Sequence, residues 1–220
     1  MKNALNRVTA LARAMGLLLV MAFVSTQSLA QEAPDALVKR VSLEVLDVAK
    51  NDKSVRAGDY RGVRELVEAK ILPHMDFEKT TALAAGRVWR EASPEQKQQL
   101  VDEFRNLLIH TYSGALSQVK DQRIEFSPLR ANPSDAEVEV HSRIIQARDE
   151  PIPMNYRLTK TADGWKIYDV SVLGVWLIET YRNSFAAEAS RSGIDGLIRL
   201  LSEKNKRLAN NAAGSQKAVG

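Results

Sequence analysis

The succession of hydrophobic periods predicts an α+β protein, with a four-stranded antiparallel sheet between two groups of helices. Up to about residue 120, apolar residues recur every three or four positions, as in amphipathic helices. From Arg123 to Val172 the period falls to two, and the helical period returns from Val175. Strands joined by short links form an antiparallel meander. Helices packed on one face of such a sheet give the α+β class.

The first thirty residues have the features of a secretory signal peptide. They begin with a basic segment, continue with an apolar run at 16–24 and end in Ser28-Leu29-Ala30, a cleavage site of small residues. The run of about nine apolar residues is well short of the roughly 20 that span a bilayer. We therefore expect Sec export and cleavage before Gln31 rather than an uncleaved membrane anchor.

Removal of this segment changes the charge of the working protein. The segment holds three basic and no acidic residues, so 28 Lys and Arg remain beside 27 Asp and Glu, and the net charge falls from +4 to +1. A chain without a strong basic excess is not suited to binding nucleic acid. The protein has no cysteine, so an exported chain must be stabilised by its core alone. We expect residues 31–209 to form one domain and the small polar residues 210–220 to form a disordered tail.

Several helices are predicted before the sheet and two after it. The best-defined start is Ser93-Pro94-Glu95-Gln96, because Ser93 suits the N-cap, Pro94 the first helical position and Gln96 the return bond of a capping box. The helix beyond it extends to about Lys120. The others are expected at 35–50, at 59–69 with an end at Leu72-Pro73, at 77–85, at 175–189, and beyond Ser192-Gly193 with Ile194, Leu197, Ile198 and Leu201.

The four strands are expected at Arg123–Phe126, 137–146, 152–158 and Gly164–Val172. In the last strand, strict alternation places Lys166, Tyr168, Val170 and Val172 on one face and Trp165, Ile167, Asp169 and Ser171 on the other. Tyr168 and Asp169 therefore converge only if a β-bulge intervenes.

No pattern of catalytic or metal-binding residues is evident. His74, His110 and His141 are not spaced as metal ligands on one helix face, and we assign no catalytic and no metal-binding residue. Asp169 beside Tyr168 suits either an acid–base pair or a buried acid that bonds nearby backbone or the following helix terminus. The second interpretation is favoured.

With these elements placed, the chain resembles the MlaC family of periplasmic phospholipid carriers, also called toluene-tolerance or Ttg2-type proteins. The resemblance extends over residues 36–208. It depends on the order and spacing of several short segments, namely 88–89, 93–96 with Phe104, 108–112, 154–158, 164–169, 174–182 with Phe185, and 193–198.

The resemblance implies an NTF2-like fold with an additional helical part, enclosing an apolar pocket. It also implies a periplasmic carrier, not an enzyme, that moves phospholipid between the inner and outer membranes and maintains outer-membrane asymmetry. Phospholipid is the cargo, and no cofactor is expected. The implied partners are an inner-membrane ABC transporter complex with an MCE-domain subunit and an outer-membrane lipoprotein–porin complex, contacted transiently by a monomer.

The apolar residues predicted to face each other across the sheet and helices are the candidate lining of that pocket. Arg182 is a candidate for the mouth, where it would pair with a lipid phosphate, although an ion pair with Glu179 is also open. The candidates on the strands and helices are Leu108, Tyr112, Val140, Ile144, Met154, Tyr156 and Trp176.

Two other classes of function remain open. The same scaffold can house an acid–base enzyme, which requires Tyr168, Asp169 or a histidine to converge inside a pocket. A fully packed core would instead indicate an interaction module that binds envelope proteins without transporting lipid.

Overall fold

The computed structural model describes residues 31–132, 134–147 and 149–217, so the expected signal peptide lies outside the described residues. Seven α-helices and five strands are present in this part of the chain. The helices are α1 (Pro34–Asn51), α2 (Lys53–Arg56), α3 (Tyr60–Leu66), α4 (Phe77–Ala85), α5 (Arg87–Glu91), α6 (Pro94–Ser117) and α7 (Leu177–Lys217). The strands are β1 (Arg123–Phe126), β2 (Glu137–Ile145), β3 (Ile152–Thr161), β4 (Gly164–Val172) and β5 (Val175–Trp176).

The predicted start of α6 is confirmed in atomic detail. The Ser93 hydroxyl accepts from the Gln96 backbone N–H, and the Gln96 side chain accepts from the Ser93 backbone N–H. The helix ends at Ser117, three residues before the expected end. The end of α4 is also confirmed, since Gly86 with φ 64° follows its last residue.

The end of α3 differs from the prediction. The chain continues from α3 through a π-helical turn (Val67–Ile71) into a 3-10 turn (Leu72–His74). Leu72 keeps helical angles before Pro73, with φ −57° and ψ −36°. Pro73 is tolerated because it occupies the first turn of the 3-10 segment, where its missing N–H is not needed.

Two short helices were not predicted. α2 has four residues and α5 has five, which is too few for a hydrophobic period to be recognised. The signal present for α2 is a cap, since one carboxylate oxygen of Asp52 accepts from the backbone N–H groups of Ser54 and Val55.

The predicted antiparallel meander is confirmed, with strand order β1-β2-β3-β4-β5. The strand count was wrong by one, because Val175–Trp176 pairs back onto β4 and α7 begins only at Leu177. The reversal is made by Leu173 and Gly174, which have φ of 54° and 80°. Two successive residues with positive φ are characteristic of the two-residue turns that close β-hairpins.

The predicted faces of β4 were wrong in one half of the strand. Leu158 on β3 is opposite Ile167, whereas its neighbour Arg157 is opposite Asp169, so Tyr168 is an extra residue in a β-bulge. The bulge shifts the alternation by one residue. Ile167 therefore shares a face with Val170 instead of with Asp169.

Helix α1 packs across one face of the sheet, which we call the α1 face. The cluster there joins three residues of the helix to residues of β2, β3 and β4; its buried members are Leu37, Val38, Val41, Val140, Tyr156, Leu158 and Ile167. The opposite face, which we call the polar face, carries mainly charged or amide side chains such as Glu139, His141, Asn155 and Arg157.

A second cluster lies among α4, α6 and α7 and is centred on Phe104, whose ring contacts those of Phe77, Tyr181 and Phe185. This helical lobe is attached along the free part of the β4 edge. The Asp76 N–H donates to the Ile167 carbonyl, and the Thr80 hydroxyl donates to the carbonyl of the bulged residue Tyr168. A third cluster joins the end of α1 to α3 and α6 through Ala49, Val63 and Ile109.

Helix α7 is bent at Gly193, which has φ 68° and ψ −172° and lies at the predicted break between the last two helices. The second segment extends to Lys217. The structure therefore has helix in 210–217, where a disordered tail was expected.

Candidate functional site

The part of the α1 face beneath α1 is tightly packed. Val140, Tyr156 and Leu158 are at most 5% exposed. The Tyr156 hydroxyl lies 3.3 Å from the Ser42 hydroxyl of α1. Burial raises the pKa of Tyr156, so this side chain stays a neutral phenol at physiological pH. The apolar surface here is already occupied by the protein itself.

The same face continues towards the β4–β5 hairpin, where its apolar side chains are less completely buried. In the register of the sheet, Ile124, Ile144 and Ile152 form one row across β1, β2 and β3, and Met154 is opposite Val172 in the next row. All five are half-buried or exposed, and Val172 is 45% exposed. We call these five residues the uncovered strip. Incompletely buried aliphatic side chains that lie side by side suit an apolar ligand.

Four of the predicted lining residues share this face. Val140 and Tyr156 lie in the packed part, and Ile144 and Met154 lie in the uncovered strip. Ile124, Ile152 and Val172 are not among the lining residues predicted from the sequence. Their alternation was visible in the sequence, but the register that places them beside Ile144 and Met154 was not.

The two candidates on α6 lie in a different part of the protein. Leu108 is half-buried and packs against the Phe104 cluster. Tyr112, one turn further, is 47% exposed and interacts with Tyr181 of α7. Burial, with a further contribution from Tyr112, raises the pKa of Tyr181 to about 12. Leu108 and Tyr112 therefore belong to the helical side of the molecule.

The remaining two candidates are on other surfaces. Trp176 is opposite Ser171 on the polar face, and its ring centroid lies 3.7 Å from the Arg157 guanidinium carbon. Arg182 is exposed, and its Nε donates to the Leu83 carbonyl at 3.4 Å. Within the described residues, no ion pair between Arg182 and Glu179 is present. The Trp176 side chain stacks on Arg157 and so holds the hairpin against β3. It does not face the uncovered strip.

The β-bulge turns Tyr168 towards the same polar face as Asp169. The Tyr168 hydroxyl donates to Glu137 Oε2 at 3.1 Å, and Lys79 Nζ lies 4.1 Å from the Tyr168 ring centre. Burial, reinforced by Glu137, raises the pKa of Tyr168 to about 12. This tyrosine is therefore a stable hydrogen-bond donor and a poor base at neutral pH.

Asp169 is 1% exposed and bonds to the protein's own backbone. Its Oδ1 accepts from the N–H groups of Val170 and Ile178, and Oδ2 lies 3.4 Å from Arg157 Nη1. Burial raises the pKa of Asp169, and these contacts oppose the shift. The bond to Ile178 is at the first turn of α7, so Asp169 supports a helix terminus, as the favoured interpretation expected.

The three histidines are dispersed over the molecule. His74 follows α3, His110 stacks on Tyr60 with ring centres 4.0 Å apart, and His141 lies 3.0 Å from Asn155 on the polar face. In the described ranges, no three His, Cys, Asp or Glu residues are grouped as metal ligands.

A cleft of about 710 Å³ lies along α6 and α7, away from the sheet. Polar and charged side chains such as Asp102, Glu203 and Lys206 dominate its lining. Such a lining does not suit acyl chains, because charged groups lose hydration beside an apolar ligand without gaining a partner.

These features define a class of protein: an α+β protein whose sheet keeps part of its apolar face uncovered beside a helical lobe. The family model described as MlaC protein matches residues 39–203. The chain belongs to the MlaC family. No helix in the described ranges combines the length and apolar character needed to cross a membrane.

Two curated relatives are 24% identical to this chain. One is the intermembrane phospholipid transport system binding protein MlaC of Haemophilus influenzae, matched over 80% of this chain and 83% of that protein. The other is the toluene tolerance protein ttg2D of Pseudomonas putida, matched over 82% and 84%. A solved structure, the phospholipid-binding protein from Ralstonia solanacearum in complex with a phospholipid, is 44% identical. It has a TM-score of 0.77 and covers 80% of this chain and 98% of that one.

Proposed function

We propose that this protein is a periplasmic phospholipid carrier that shuttles lipid between the inner and outer membranes. The observation that carries this proposal is a solved structure. A protein that is 44% identical to this chain, and is matched over 98% of its own length, was solved in complex with a phospholipid. Family membership and the names of the two curated relatives support the same function.

The acyl chains are proposed to lie against the uncovered strip, with Met154 and Ile144 in direct contact. Val140 and Tyr156 form the packed floor next to it, and Leu108 and Tyr112 belong to the helical side. Trp176 stacks on Arg157 at the polar face, so we assign it no acyl contact. Arg182 is retained as a candidate for a phosphate at the mouth because its side chain is exposed.

An apolar site without catalytic groups suits transport on energetic grounds. An acyl chain of ~15 methylenes loses roughly 12 kcal/mol when it is exposed to water, at ~0.8 kcal/mol per methylene. The carrier has to offset most of this cost but not exceed it by much, since it must also release the lipid. Aliphatic side chains such as Ile144, Ile152 and Met154 provide this without a covalent step.

The remaining features follow from the same proposal. Residues 1–30 would direct export to the periplasm, residues 31–209 would be the lipid-binding domain, and the protein would act as a monomer without cofactor. Its partners would be an inner-membrane ABC transporter complex with an MCE-domain subunit and an outer-membrane lipoprotein–porin complex. A net charge of +1 on the mature chain would limit retention on anionic membranes.

Native mass spectrometry of the mature protein isolated from the periplasm tests the proposal. We expect a mass excess equal to one or more phospholipids that disappears after organic extraction. A lipid-free mass under gentle conditions would contradict it and would favour a packed interaction module.

The substitution Met154→Trp tests the location of the acyl chains. Adding an indole to the uncovered strip is expected to fill space beside Ile144 and to lower bound phospholipid several-fold, because overpacking an apolar site excludes its ligand. The measurement is phospholipid per protein after extraction, with circular dichroism as the check on folding.

Asn155→Trp is the matched control. It adds the same side chain one residue further along β3 but on the polar face, where Asn155 contacts His141. Phospholipid content should stay at the wild-type level. An equal loss in both variants would mean that the effect comes from the fold and not from the strip.

A further inference from the structure

The turn between β4 and β5 combines two unfavourable features. Val172 and Val175 are paired across a two-residue loop in which Leu173 and Gly174 both have positive φ. Such loops favour Asn-Gly or Asp-Gly, because a residue with a large side chain is strained at positive φ. Leucine at the first loop position therefore lowers the stability of the fold relative to asparagine, which tolerates positive φ.

The strained leucine is also exposed to solvent. Leu173 is 65% exposed, Val175 is 61% exposed and Val172 is 45% exposed. The Leu173 backbone N–H donates to the Pro153 carbonyl of β3 at 3.0 Å. Backbone strain combined with an exposed aliphatic side chain indicates a function outside the fold. We call Val172, Leu173, Gly174 and Val175 the hairpin tip.

The hairpin tip is continuous with the uncovered strip. Val172 belongs to both, and it is opposite Met154 in the sheet register. An acyl chain that leaves the strip at this end meets the aliphatic side chains of the tip before it meets water. The tip therefore extends the proposed lipid site to the outer surface of the protein.

The charges carried by the tip's own segment indicate what kind of surface it contacts. The sequence has no Lys or Arg between Lys166 and Arg182, so this segment offers no cation to an anionic surface. Arg143, which is opposite Pro153, is paired with Glu125 at 3.4 Å. Three aliphatic side chains are also far fewer than the roughly 20 residues a side that a stable protein interface requires. A small, uncharged apolar tip fits the apolar layer of a neutral membrane surface.

We propose that the hairpin tip enters a zwitterionic phospholipid surface during lipid loading or release, and that Leu173 is its main apolar anchor. This inference rests on the proposed carrier function. It adds a direct and weak membrane contact whose position in the protein is defined.

The test compares wild type with Leu173→Asn. Asparagine tolerates positive φ, so this variant should fold at least as well as wild type while losing the apolar side chain. The readouts are flotation with phosphatidylcholine vesicles and the rate of fluorescent phospholipid transfer between such vesicles. We expect vesicle binding and the transfer rate both to fall about tenfold, because the variant loses the free energy of burying a leucine side chain in the apolar layer of the membrane. Wild-type flotation should change little between low and high salt.

Two further variants complete the design. Leu43→Asn removes another exposed leucine, 43% exposed on α1, and should leave flotation and transfer unchanged. Leu173→Gly relieves the strain in a different way and should behave like Leu173→Asn.

Wild-type flotation and transfer rates in both Leu173 variants would overturn the inference. The inference would also be overturned if wild-type protein carried phospholipid but did not bind the vesicles. In that case the tip would have to contact a recess in a partner protein. Strongly salt-dependent binding would overturn it as well. Phospholipid extracted from the same wild-type sample separates these outcomes from failure of the carrier function itself.

Discussion

At the scale of single residues, burial determines how the ionisable groups behave. Burial raises the pKa of Asp169 and of Tyr156, and it lowers the pKa of His74 and of His110. The charged form is disfavoured in each case. Asp169 accepts from the backbone N–H groups of Val170 and Ile178, and the Tyr156 hydroxyl lies 3.3 Å from the Ser42 hydroxyl. The Ile178 bond and the Ser42 contact connect β4 to α7 and β3 to α1.

His110 makes folding sensitive to mild acid. Burial, and secondarily Arg64, lowers its pKa in the folded state below the ordinary 6.5. Near pH 6 the imidazole of His110 therefore binds a proton more readily in the unfolded chain than in the folded protein. The free energy of unfolding that neutral His110 contributes above pH 6.5 is lost as the pH falls below that value. His110→Phe keeps an aromatic ring on Tyr60 and should reduce the fall in melting temperature between about pH 7 and pH 5.

The same measurement on His74→Phe and on the double variant provides the comparison. His74 also has a lowered pKa, caused first by burial and then by Arg40 and Lys166, so the double variant should have the flattest pH profile. A His110→Phe profile parallel to that of wild type would contradict the prediction.

At the scale of elements, helix ends were predicted well where a local cap defines them. Ser93 with Gln96 and Gly86 after α4 are examples in which bonds or backbone angles within a few residues decide the boundary. The end of α3 and the two residues of β5 were not predicted. The first depends on a π-helical turn and the second on a hairpin turn with leucine at an unusual position.

The capping box of α6 gives a prediction at this scale. Ser93→Ala removes the acceptor for the Gln96 N–H and should lower the free energy of unfolding by about 1 kcal/mol. Urea denaturation measures the change. Ser117→Ala is the control at the other end of the helix, where the hydroxyl donates to the Gly114 carbonyl and accepts from Gln118 Nε2 at 3.4 Å. An equal effect in both variants would show that the cap contributes nothing specific.

At the scale of the whole molecule, three apolar clusters within the described residues stabilise the fold. One lies under α1 on the sheet, one surrounds Phe104, and one joins α1, α3 and α6. Helix α6 belongs to the second through Phe104 and to the third through Ile109. This arrangement supports the sheet from the side and leaves one end of its α1 face uncovered.

Substitution of Phe104 is expected to lower the stability of the helical lobe strongly. It is fully buried against three aromatic rings, so Phe104→Ala should lower the free energy of unfolding by about 3–5 kcal/mol. Urea denaturation followed by circular dichroism measures it. Leu43→Ala, at an exposed position, should change stability by no more than about 0.5 kcal/mol. A small effect at Phe104 would mean that the lobe is not part of the cooperative core.

The candidate site was predicted in part. The sequence alone placed Val140, Ile144, Met154 and Tyr156 on one sheet face, since alternation along β2 and β3 is uninterrupted. It placed Trp176 on a helix that faces the sheet, whereas a two-residue strand with no periodicity of its own carries this residue to the polar face. It also did not reveal the bulge at Tyr168, which depends on pairing with β3.

The sequence by itself determined the α+β class, the order of the meander, the capped start of α6 and the absence of disulfides. These depend on local hydrogen bonds, side-chain periods and composition, all of which act within a few residues along the chain. Only the tertiary structure decided which apolar residues α1 covers, which remain open as the uncovered strip, and how that strip reaches Leu173. Burial and strand register join residues distant in sequence, and no local pattern records them.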